Sequence, residues 1–212
     1  MKEIHIIDKI ELSDSGLVVK RSKQLAHLRQ GDLDGACGVY SMMMCLIIEK
    51  IIKREVVTDV SPLLKRNTSD GRLVRKFLEN QGMIVNGYEL EPLVADLQNT
   101  FKKKVNAIHI ENDKILDSII EQLKENHPVE IGFSRIKTYG HFVVAVGYMV
   151  EDKFTNLYCL DPGYPMEKGQ MWNNVLRIDT TSSAKFNCLN MQENRKVFVE
   201  AAMVCIKRCN SL

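Results

Sequence analysis

The chain has 212 residues, 45% hydrophobic and 26% charged, with a formal net charge of +2 from 29 basic and 27 acidic side chains. A chain of this size buries enough apolar surface to fold without disulfide or metal staples. So even a charge balance argues against a nucleic-acid binder and against a polybasic membrane anchor.

The segment Met1 to Asp8 carries charges at short intervals and does not read as a secretory signal. The longest apolar run, Val39 to Ile48, is too short to span a bilayer. The expectation is a soluble, cytoplasmic protein of one domain, residues 1–212, with no membrane or nucleic-acid partner. The six cysteines, Cys37, Cys45, Cys159, Cys188, Cys205 and Cys209, form no Cys-x-x-Cys pair. They read as reduced thiols, with no metal site and no cofactor.

In chain order, Asp34 and Gly35 are placed to cap a helix over Cys37 to Lys53. Val39, Tyr40, Met42 to Cys45 and Leu46 to Ile48 make it apolar nearly all round, which predicts a buried helix. A second helix starts at Ser69-Asp70 and stops at Gly82. A third opens at Glu91-Pro92. Lys102 to Ile110 reads as a strand, with Lys102 to Lys104 a solvated turn, and Asp113 to Glu125 as an amphipathic helix. Strands follow at Pro128 to Phe133, His141 to Val150, Thr155 to Leu160, Val175 to Ile178 and Val197 to Ile206. Helices first and strands later predict an α+β fold. The polar Glu151-Asp152-Lys153 predicts a hairpin in which opposed residue numbers sum to about 305. That register puts His141 near Tyr164 and brings Asp161 to the same end of the sheet.

The candidate chemistry rests on Cys37, which follows Gln30-Gly31-Asp32-Leu33-Asp34-Gly35-Ala36 and precedes the apolar helix. Far downstream come His141, in Tyr139-Gly140-His141-Phe142, and Asp161, in Leu160-Asp161-Pro162-Gly163. A cysteine at a helix start meets oriented N–H groups that favour the thiolate. His141 is the candidate base and Asp161 its orienter. Gln30 is a candidate oxyanion donor beside the backbone N–H of Cys37. Asp32 is the alternative occupant of that place, but its charge would repel an oxyanion. Asp34 would oppose a thiolate and is expected to turn outward or cap the helix. Gly38 and Gly140 keep the backbone open beside nucleophile and base. His27, His109 and His127 read as surface or packing residues, Met42 to Met44 as core, and Trp172 as either a cleft wall or packing under a loop.

On Gln30 to Met44, Tyr139 to Tyr148 and Tyr158 to Pro165, the sequence resembles papain-like cysteine peptidases, most nearly the C39-like peptidases. The resemblance implies a papain-like fold: a helical half (about 30–126) packed on a C-terminal antiparallel sheet (about 127–207). It also implies Cys37 as nucleophile, His141 as base, Asp161 as orienting acid and Gln30 as the oxyanion glutamine. The chain has Val39-Tyr40 where papain relatives carry a tryptophan, and Asp161 where they carry asparagine. The function expected is a thiol hydrolase cleaving a peptide or isopeptide bond of a peptide or protein substrate. Two alternatives are acyl transfer or deamidation by the same residues, and a non-catalytic binding module.

Overall fold

The computed structural model describes residues 3–31, 35–58, 68–79, 90–102, 104–135 and 140–208. Its elements are β1 (His5–Ile6), β2 (Ile10–Ser13), β3 (Gly16–Val19), α1 (Cys37–Ile48), α2 (Arg54–Thr58), α3 (Ser69–Glu79), α4 (Leu90–Phe101), β4 (Val105–Ile110), α5 (Ile115–Lys124), β5 (Val129–Ser134), β6 (Gly140–Val150), β7 (Phe154–Leu160), β8 (Asn174–Asp179), β9 (Cys188–Asn190) and β10 (Arg195–Lys207).

The expected helical half packed on a sheet is not what forms. Six antiparallel strands close on themselves in the order β5-β6-β7-β8-β9-β10, with β10 pairing back to β5. The body of the fold is therefore a closed barrel with a few helices against it, and the papain-like arrangement is corrected accordingly. Closure depends on β9, three residues that bridge β8 to β10 and are too short to announce themselves by alternation. It also depends on the length of β10. This strand pairs with β9 at its start, with β5 along its middle and with β4 at its end, and it is bulged between Val199 and Ala201. A bulge bends a strand and so helps a sheet close.

The β6–β7 hairpin follows the expected register near its turn. Val150 faces Thr155 and Tyr148 faces Leu157, each pair summing to 305. A bulge between Ala145 and Gly147 then moves the register by one, so that Val144 faces Leu160. At Gly147 the neighbouring β1 approaches so closely that an added Cβ would lie 2.4 Å from the carbonyl oxygen of His5. Only glycine fits there.

Ten of the twelve residues of α1 are buried, as its all-round apolar sequence requires. It packs on β5, β6 and β10. It ends sooner than expected, at Ile48, where Lys50 turns to a left-handed φ of 56°. Ala36 occupies the N-cap position and has no side-chain acceptor to offer. Asp34, the expected cap, lies outside the described residues, as do Asp32, Tyr139 and the stop at Gly82. Beyond the far end of the helix, Glu49 accepts from Lys9 Nζ at 2.6 Å and from His127 Nδ1 at 2.9 Å. This buried group ties the N-terminal strands to the helix, a packing role for His127.

Candidate active site

The start of α1, the start of β6 and the end of β7 meet at one end of the barrel. His141 is the second residue of β6 and pairs with Phe133 of β5, whose ring meets it edge-on at 5.5 Å. Asp161 directly follows β7 and is fully buried. His141 Nε2 lies 2.7 Å from Asp161 Oδ1. A carboxylate only accepts, so Nε2 carries the proton and Nδ1 is left for another partner. Cys37 lies close enough for its sulfur to act on the same ring. Gly163 lies against the ring, where an added Cβ would be 3.5 Å from His141 Cε1 and 3.2 Å from Asp161 Oδ1.

Burial alone would lower the pKa of His141. Its hydrogen bonds to Asp161 and Cys37, and the charges of both, outweigh that effect and push it up to about 10. The ring is therefore a cation at neutral pH. A raised pKa stabilises the fold fully below the unfolded value near 6.5 and loses that contribution as pH rises through about 10. Urea melts at pH 6, 8 and 10 should show the wild-type protein losing about 1–3 kcal/mol more than His141→Gln over this window. Equal losses would mean that the ring gains no proton on folding.

Asp161 is held by groups that the sequence reading passed over. Asn174 Nδ2 donates to Asp161 Oδ2 at 2.8 Å, and the Gly163 N–H donates to Oδ1 at 2.9 Å. Asn173 accepts the Asp161 N–H at 2.7 Å and donates to the Asp161 carbonyl at 2.9 Å and to that of Tyr164 at 3.0 Å. His27 Nε2 donates to the Asp161 carbonyl at 2.9 Å. Burial lowers the pKa of His27 and, with the charge of Arg54, keeps the ring neutral against the pull of that carbonyl. His27 is thus half-buried and bonded to the backbone beside Asp161, a packing role of the kind expected. A signal for Asn174 was present: in Asn174-Val175-Leu176-Arg177-Ile178 it stands in phase with the buried Leu176 and Ile178.

Gln30 is brought to the same corner, since its backbone N–H donates to the Pro162 carbonyl at 2.9 Å. The N–H groups at the start of α1, that of Cys37 among them, precede the first turn and have no intrahelical acceptor. Trp172 packs at a tilt on Tyr158, with ring centroids 4.2 Å apart. Glu130, on β5, is fully buried, and neither carboxyl oxygen finds a hydrogen-bond partner among the described residues. Burial, with the Cys37 charge adding to it, pushes its pKa well up. Among the described residues no group of three acidic, histidine or cysteine side chains could hold a metal ion.

The family model described as Peptidase_C39 like matches residues 17–190. The chain belongs to the C39-like peptidase family. That span includes Cys37, His141, Asp161 and the asparagines that hold the aspartate. No curated protein matches the sequence significantly. Membership of the C39-like family carries a function of the cysteine-peptidase or transglutaminase kind. Among the described residues, no helix of this C39-like chain is long and apolar enough to cross a membrane.

Proposed function

We propose that the protein is a thiol hydrolase that cleaves a peptide or isopeptide bond through an acyl-enzyme on Cys37. The observation that carries this reading is the His141 ring, bonded through Nε2 to the buried Asp161 at 2.7 Å and close enough to Cys37 for the sulfur to raise its pKa. The Cys37 sulfur attacks the substrate carbonyl carbon. The tetrahedral oxyanion is met by the Cys37 N–H and by the Gln30 side-chain amide. The imidazolium of His141 gives its proton to the leaving nitrogen as the C–N bond breaks, leaving a thioester. Water then attacks the thioester while His141 takes its proton. The C–S bond breaks and the sulfur departs paired with the imidazolium. Asp161 keeps the ring in the required tautomer and orientation throughout.

Thiol labelling tests the first requirement. Cys45, Cys159 and Cys205 are fully buried with pKa values pushed well up by that burial, and burial pushes Cys188 up to about 12. Iodoacetamide at pH 7 should therefore alkylate Cys37 at least about tenfold faster than these four, read by peptide mass spectrometry, and His141→Ala should remove the advantage. Labelling of Cys37 no faster than Cys45 would end the proposal. Product analysis with and without an added primary amine then separates hydrolysis from transfer, because a thioester accepts either nucleophile. Amide products in place of free acids would assign the transferase reaction to the same residues.

A further inference from the structure

A recess of about 300 Å³ lies beside the Asp161 corner, between the β2–β3 hairpin with its following segment and the loop after Asp161. Leu17 and Leu25 line it together with Arg29, Arg54 and Lys168 and, among the described residues, one carboxylate, Glu167. These three cations come from separate parts of the chain, so folding gathers them.

Arg54 is only partly exposed, and burial lowers its pKa. Its Nη1 is committed to the carbonyls of Leu25, at 3.0 Å, and His27, at 2.5 Å. The Nε and Nη2 donors have no partner among the described residues, and they are the kind of planar pair that grips a carboxylate.

The recess is joined to the reacting groups on both sides. His27 is bonded to the Asp161 carbonyl, and Gln30 to that of Pro162. Pro165 in its wall comes two residues after Gly163, which abuts the His141 ring.

We propose that this recess is a substrate subsite for a carboxylate, either an acidic side chain or a free C-terminus, within a few residues of the cleaved bond. The inference rests on reading the cleft as peptide-binding. It names the substrate class that this cleft prefers: peptides anionic near the scissile bond.

The test uses the Cys37→Ala protein and fluorescent hexapeptide pools that differ only in Glu against Gln, each made as C-terminal acid and as amide. Fluorescence anisotropy should show carboxylate-bearing pools bound about tenfold or more tighter at 50 mM salt. The preference should shrink at 300 mM salt. It should collapse in Arg54→Gln/Lys168→Gln, whose folding a thermal melt checks, and weaken in Lys168→Gln alone, a change at an exposed position. Tight binding of the Gln pool only as C-terminal acid would assign the terminus. Tight binding of the Glu pool as amide would assign the side chain. Equal binding of all pools, or a preference that survives in the double variant, overturns the subsite.

The wild-type protein is given the same pools. Cleavage without acidic preference would sink the subsite and leave the peptidase reading standing. Selective binding of carboxylates by the Cys37→Ala protein with no wild-type cleavage would do the reverse.

Discussion

Cys37→Ala is expected to lower amide hydrolysis by at least about a thousandfold, and His141→Ala by a similar factor. The two residues act as one unit. The ring that protonates the leaving nitrogen is the ring beside the sulfur, and without either there is no thioester route. The double variant should therefore be about as slow as either single variant, not slower by the product of both losses. Single-turnover assays on the peptide pools, with folding checked by thermal melts, read this directly. Hydrolysis by Cys37→Ala within tenfold of wild type would show that the bond is broken elsewhere. Gln30→Ala removes one proposed oxyanion donor and should cost less, about a hundredfold.

The site was far more legible in the sequence than the fold that carries it. Cys37, His141 and Asp161 could be singled out because each stands at the edge of an element with a clear pattern. One begins an unbroken apolar helix, one begins a long apolar strand, and one ends a strand in Asp-Pro-Gly. The hairpin turn at Asp152 fixed a pairing that holds from Val150 to Gly147. The bulge between Ala145 and Gly147 was not legible, because nothing in Val143-Val144-Ala145-Val146-Gly147 marks which residue is left unpaired. Closure of the barrel was hidden for a different reason. A strand buried on both faces, such as Val129–Ser134, has the same pattern in an open sheet as in a barrel. The deciding pairings fall to the three residues of β9. The strands before Arg29 were too short, at two to four residues, to rise above the irregular pattern around them. Glu130 shows the limit of alternation as a guide. It sits in a strand where both faces are covered, so neither phase could place its carboxyl in solvent.

Asn174→Asp changes one NH₂ group to an oxygen and should be among the most damaging substitutions outside the reacting groups. The orientation of the Asn174 amide is fixed from behind, because its Oδ1 accepts from the N–H groups of Val175 at 2.7 Å and Gln192 at 3.3 Å. Its Nδ2 must therefore face Asp161, where it donates at 2.8 Å in a fully buried setting. With aspartate there, two carboxyl groups meet away from water and cannot both ionise. At neutral pH the fold should lose about 3–5 kcal/mol, the range for a buried charge left with the wrong partner. One of the two carboxyls has its pKa raised in the folded state. The lost stability should therefore return as pH falls toward the ordinary carboxylate range near 4, and be fully missing once pH exceeds the raised value. Hydrolysis should fall with it, since an Asp161 that must share a proton no longer holds the His141 N–H in place. Asn174→Ala removes the donor without adding charge, so it should be milder and show no recovery in acid. Urea melts of the three proteins between pH 4 and 8 make the comparison. Were Asn174→Asp as stable as wild type at pH 8, the hydrogen bond to Asp161 could not be what anchors the carboxylate beneath the imidazole, and the geometry assigned to the reacting corner would have to be redrawn.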